Sequence, residues 1–251
     1  MMGWRGRIGF LVPPGNPTVE PEMMDLSPEG VSLHFTRMVA HGTTGAHAGQ
    51  EDRNRTQIEH LADNARLLAM VKPGVMVMAH TATSYTLGMQ GEADLVQRMQ
   101  DEHGIPFLTA FGSVVEALRH LGIRRVAYGT PYDEATTQKG KRHLESFGFE
   151  VVAHRILPGV TNIYDETHQR AYQLARSVDC AQADAVFLSG VGMPTIDALD
   201  MLERDLGKPV LSSASAMMWN ALRAIKVRDI ASHGGSLLTG VSPLESQVSR
   251  T

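Results

Sequence analysis

At 251 residues the chain suits one large domain or two small ones, and it can bury roughly three quarters of its unfolded surface without a disulfide framework. Its 43% apolar and 20% charged composition, with 23 Lys+Arg against 27 Asp+Glu and a formal net charge of −4, is that of an ordinary globule and argues against a nucleic-acid binder with a dominant basic footprint. The single cysteine, Cys180, excludes an internal disulfide and a cysteine-rich zinc site and suits a reducing compartment.

In chain order, the basic opening Trp4-Arg5-Gly6-Arg7 leads into an apolar run that stops at Pro13-Pro14, too short for a signal core or a membrane span. A cytoplasmic protein with no membrane or nucleic-acid partner is therefore expected. Arg7–Val12 reads as the first strand. The loop after it, Pro13 to Thr18, is stiffened by three prolines, and Asn16, Thr18 and the start of the next helix offer donors to an anion. A plain structural turn accounts for that loop equally well.

Ser32–Met38 reads as the second strand. The small-residue stretch His41 to Gln50 reads either as a lid over a cleft or as a surface loop. Ile58, Leu61, Ala65 and Leu68 recur at the helical period, and Pro73-Gly74 closes that helix. Val75–Ala79 is an all-apolar strand, followed by His80-Thr81-Ala82-Thr83-Ser84-Tyr85-Thr86, which places four small aliphatic hydroxyl side chains at its mouth. A helix cap explains one or two of them. His80 is the one titratable group there suited to proton transfer near neutrality, and it serves either as a base or as a hydrogen-bonded structural residue.

Further strands are predicted at Phe107–Leu108, Arg125–Tyr128, Glu150–Ile156, Ala185–Leu188 and Val210–Leu211. The loop Gly129 to Glu134 carries the phenol of Tyr132. Cys180 reads as an inert helix-end thiol. In Ser189 to Thr195, Gly190 and Gly192 expose backbone N–H groups that can bind an oxyanion or a carboxylate. Val191 and Met193 add apolar surface that suits either a pocket or the core.

The alternation of short apolar runs with amphipathic stretches gives an α/β fold with parallel strands. Self-similarity sharpens this. Ile105-Pro106-Phe107-Leu108-Thr109 recurs as Lys208-Pro209-Val210-Leu211-Ser212, each copy followed by Ala-Leu-Arg, and the Arg7 and Arg125 strands also match. Four strands per copy describe a duplicated domain whose halves face each other about a pseudo-twofold axis. The loops at the strand carboxyl ends then converge on one cleft. No Gly-x-Gly-x-x-Gly or Walker loop supports a nucleotide cofactor, and the scattered histidines support no metal site.

Taken together, Val12 to Glu20, Arg37, Thr81 to Ser84, Thr130-Pro131-Tyr132, Asn162, Met193-Pro194-Thr195 and Pro209 to Ser213 with Trp219 and Leu222-Arg223 resemble the aspartate/glutamate racemase superfamily, nearest its maleate isomerase and arylmalonate decarboxylase branch. The resemblance spans almost the whole chain. It implies two Rossmann-like lobes, each a four-stranded parallel sheet flanked by helices, expected as residues 1–112 with 217–251 and as 113–216. It also implies a small carboxylate substrate, neither metal nor organic cofactor, and a homodimer or larger assembly. Pro14, Asn16, Thr81, Ala82, Thr83, Ser84, Asn162 and Gly190, Val191, Gly192 and Met193 are the expected substrate-binding positions, Asn16, Asn162 and the hydroxyls near Thr81 and Ser84 among them being implied by the resemblance, with His80 and Tyr132 as the expected catalytic residues.

Racemases and isomerases of this kind use two cysteines, one after the third strand of each lobe, and here His80 and Gly190 stand in those places. The expectation is one-sided proton chemistry by His80 through an enediolate, in a lyase or isomerase of a mono- or dicarboxylate. Gly190 is expected to leave the opposite face open. A hydrolase with His80-activated water in that space, and a carboxylate-binding relative without activity, stand as alternatives.

Overall fold

Strands whose residues are apolar on both faces need cover on both sides, which parallel sheets obtain from their crossover helices. In a computed structural model describing residues 2–229 and 231–240, β3 (Val75–Met78) and β7 (Ala185–Leu188) are buried at every position. They sit inside two four-stranded, all-parallel sheets. The first sheet has the order β2 (Val31–Arg37), β1 (Gly6–Val12), β3, β4 (Phe107–Thr109). The second repeats that order as β6 (Glu150–Ile156), β5 (Arg125–Thr130), β7, β8 (Val210–Ser212). All eight strands lie within one or two residues of the positions that their patterns predict.

The helices are α1 (Val19–Asp25), α2 (Gln50–Glu59), α3 (Leu61–Ala69), α4 (Thr81–His103), α5 (Ala110–His120), α6 (Glu134–Ser146), α7 (His168–Val178), α8 (Ile196–Leu206) and α9 (Ser213–Ala224). Two of them exchange sheets. Phe111, Val114 and Leu118 of α5, which grows out of β4, pack with Val126, Tyr128 and Phe187 of the second sheet. Helix α9 grows out of β8 and packs against β3 of the first, its Met217, Met218 and Ala221 joining Phe10, Val75 and Val77 in one core.

Two sequence expectations change. The single helix carried by Ile58, Leu61, Ala65 and Leu68 is two helices that meet at His60. Helix α2 buries Arg53, Asn54 and Gln57, so its inward face is polar and leaves no apolar period to detect. The hydroxyl-rich segment after β3 is the first turns of α4 rather than a loop. It runs as far as Gly88, where φ 69° and ψ 174° interrupt the helix.

Just beyond that break, the buried Glu92 accepts hydrogen bonds from Ser84 (2.7 Å) and Thr109 and meets His143 of α6 at 3.0 Å, tying α4 across to the second half. The Gly88 conformation is open to glycine almost alone, yet a Cβ there would meet nothing within 4 Å. Gly88→Ala is therefore expected to cost about 1–3 kcal/mol of stability from backbone strain alone, measured by denaturant unfolding.

Candidate active site

The carboxyl ends of β1, β3, β5 and β7 meet because the first loop docks on the fourth. Asn16, 1% exposed, accepts from the amides of Thr18 (2.8 Å) and Val19 (3.0 Å) and donates to the Val191 carbonyl (3.1 Å). Thr18 donates to the Gly192 carbonyl at 2.9 Å. Arg37 donates to the Asn16 carbonyl (2.6 Å) and pairs with Glu20 (2.7 Å), which fixes the loop from outside. The Asn16 carboxamide thus starts α1 and joins the two halves. The start of α8 is likewise occupied, since the Thr195 and Ile196 amides donate to Glu22, whose carboxyl is pushed up to about 7 by burial. Asp133 caps α6 through the Thr136 amide. At the start of α4, His80 supplies no side-chain cap.

His80 ends the run from β3 in an extended conformation and is 5% exposed. Its Nδ1 is enclosed and has no hydrogen-bond partner among the described residues. Burial, and then the positive charge of Arg53, push the imidazole down to about 3. It is therefore neutral at physiological pH. Next to it, Thr81 donates to Ser213 at 3.0 Å and its hydroxyl also faces the phenol of Tyr132. Tyr132 is 2% exposed, with Ser189 on its other side, and burial holds its pKa well above the ordinary 10. A phenol kept protonated in this way is a hydrogen-bond donor. Ser189 shares a bond with Tyr85 (2.8 Å), which accepts from Tyr128 (3.1 Å), so hydroxyls line the seam behind Tyr132.

Gly190 was expected to leave free space, and it does not. A Cβ there would lie 3.1 Å from Pro131 and 3.2 Å from the Tyr132 oxygen, and its φ of +95° disfavours any side chain. A side chain at this position would press on Pro131 and on the Tyr132 phenol.

The segment from His41 to Gly49 lies across the seam. His47 donates to the Pro131 carbonyl (2.8 Å), and the Gly45 carbonyl accepts from the Ile163 amide (2.9 Å). Gly45 fits so closely over Asn162 that a Cβ would collide with the amide oxygen, while Gly15 is equally tight against Thr44. Asn162 spends that oxygen on the Tyr164 amide at 2.9 Å. The Tyr164 ring packs on Gly192, and its far side borders a groove of about 540 Å³ shared with Thr18, Glu22 and Thr195.

Of the other implied binding residues, Thr83 donates back to the His80 carbonyl (2.7 Å), Ser84 points at Glu92, and the Ala82 carbonyl accepts from Asn54 (3.1 Å). Val191 and Met193 are buried, Gly192 backs onto Tyr164, and Pro14 is half-buried beside the lid contact. Sequence reasoning passed over Arg53, Asn54, Tyr85, Tyr164 and Ser189. The one available signal was the polar face of α2, where residues 53, 54 and 57 recur at helical spacing. Cys180 lies just beyond α7, at the amino end of β7 and away from the seam, where its carbonyl accepts from Lys208.

Comparison with known proteins fits this geometry. The family model for arylmalonate decarboxylase matches residues 8–238. The maleate isomerase of Nocardia farcinica is 32% identical over 94% of this chain and 96% of its own length. The arylmalonate decarboxylase of Bordetella bronchiseptica is 30% identical over 86% and 89%. A mutant of the Nocardia farcinica maleate cis-trans isomerase, solved with a covalently bound succinylcysteine intermediate, superposes with a TM-score of 0.85 at 26% identity, over 94% of this chain and 99% of that one.

An unfolded chain takes up the His80 proton near pH 6.5, whereas the folded one does so only near pH 3. The contribution of His80 to stability is therefore complete above pH 6.5 and is lost as the pH falls from there toward 3. Proton NMR is expected to show a His80 ring that does not titrate between pH 8 and 5. His80→Asn should lose less stability than the parent between pH 7 and 5, by on the order of 2 kcal/mol.

Proposed function

Because the chain belongs to the arylmalonate decarboxylase family, we propose that it is a cofactor-independent lyase or isomerase of a small mono- or dicarboxylate, working through an enediolate-type intermediate with His80 as its acid/base. The observation that carries this reading is the enclosed, unpartnered Nδ1 of His80 at the end of β3. Buried polar atoms almost always have partners, so an orphan beside converging loops supports a substrate group as its partner.

The residues around it suit the charge that would develop. Tyr132 is a protonated donor in a water-poor seam, with the amides of Gly190 to Gly192 beside it, and such preorganised donors stabilise an enediolate oxygen far better than bulk water does. A substrate carboxylate adds negative charge next to His80. That opposes the two causes that depress its pKa and moves the imidazole toward the range where proton transfer is efficient. The structural neighbour carries its intermediate on a cysteine. The one thiol of this chain lies at the wrong end of β7, and Gly190 offers neither acid nor base, so the proton is delivered to a single face.

The test is turnover of maleate and a panel of malonates, including phenylmalonate, followed by NMR. His80→Asn is expected to lower kcat by about 10² to 10⁴ while the carboxylate still binds. Tyr132→Phe should lower it by about 10² to 10³. Cys180→Ser should leave it unchanged. Parent-level turnover by His80→Asn would overturn the assignment, and binding without turnover by the parent would identify a carboxylate-binding relative.

A further inference from the structure

A guanidinium taken out of water loses several kcal/mol of hydration and is ordinarily compensated by a carboxylate. Arg53 on α2 is 4% exposed and has no ion-pair partner among the described residues. Its acceptors are all neutral. Nη1 donates to the Ala48 carbonyl (2.6 Å), and Nη2 donates to the Ala46 carbonyl and to the Gln50 amide oxygen (3.3 Å). These use three of the five N–H groups of a guanidinium. The nearest acids on its own helix are engaged or outside: Glu51 pairs with Lys139 (2.7 Å) and Arg55 (3.6 Å), and Asp52 faces solvent. Tyr164 is no counter-ion either, because burial pushes its phenol up to about 12.

The place of this charge in the fold is as telling as its isolation. It acts on His80 at the end of β3 and on Tyr164, which packs against Gly15, Gly45 and Gly192 on the far wall of the seam. The side chain is gripped from behind by the lid carbonyls, and the left-handed turn at Gly49 (φ 70°) lies so close that a Cβ there would be 3.2 Å from Nη1. A fixed fork with unused N–H groups, positive charge and no protein anion is the arrangement that binds a carboxylate most strongly.

We propose that Arg53 is the receptor for a substrate carboxylate: its free N–H groups hold the anion in the seam while its remaining bonds to Ala46 and Ala48 keep the lid closed over it. This rests on the reading of the seam as a carboxylate site and adds to it a residue and a specificity. The Tyr132 phenol and the amides beside it serve the carboxylate at the reacting carbon, and Arg53 serves a second one, so the preferred ligand is a small dicarboxylate.

Calorimetric titration of the intact protein with maleate and malonate, and with acrylate as the single-anion control, tests this. Arg53→Met is expected to weaken both dicarboxylates by about a hundredfold and acrylate by less than about threefold. Arg53→Lys keeps the charge without bridging both lid carbonyls, and it should hold the dicarboxylates to within about tenfold of the parent. A loss that is equal for acrylate and the dicarboxylates assigns Arg53 to lid structure alone and overturns the proposal, as does no loss. Failure of the parent to bind either dicarboxylate overturns it too, whereas His80-dependent turnover of a monocarboxylate in that same protein would leave the functional reading standing.

Discussion

Everything at the seam depends on two hydrogen bonds made by the first loop to main-chain oxygens of the fourth, from Asn16 to Val191 and from Thr18 to Gly192. They close the gap between the strand ends of the two sheets and so expel water from the groups those ends carry. Desolvation is what then gives His80, Tyr132 and Arg53 their character. The imidazole gives up its proton, the phenol keeps its own, and the guanidinium stays charged without an ion-pair partner among the described residues because its intrinsic pKa is too high to yield. A looser contact between these loops would return all three toward ordinary solution behaviour.

His80 and Arg53 are coupled through one charge. Burial is the larger cause of the low proton affinity of His80 and Arg53 the smaller, so an anion that neutralises Arg53 removes part of that depression. On the proposed reading, the proton-transfer group is weakest when the seam is empty and strengthens when a carboxylate arrives. Chemistry of this kind needs no thiolate, which accords with Cys180 lying beyond α7 and with the Tyr132 phenol occupying the space over Gly190.

The fold was legible because its signals are local. All-apolar β3 and β7, the repeated Pro106 and Pro209 segments and the turn residues between them dictate eight strands in two matching sets of four, whereas the order of strands within each sheet comes from the structure. The strand-end positions of His80, Tyr132 and Gly190 follow from the same pattern. What escaped was set by contacts between distant residues. Arg53 and Asn54 look like the solvent face of a polar helix, and only the packing of α2 on α4 buries them. Ser84 looks like a cleft donor until the break at Gly88 folds Glu92 back to meet it. The space at Gly190 depended on where a phenol from another loop comes to rest, which no count of residues along the chain reveals.

The exchange of α5 and α9 welds the halves together. Each sheet is roofed by a helix that sprouts from the opposite half, so either half taken alone would leave one greasy flank bare to solvent. Neither portion can drift away from the other's shape without uncovering its own.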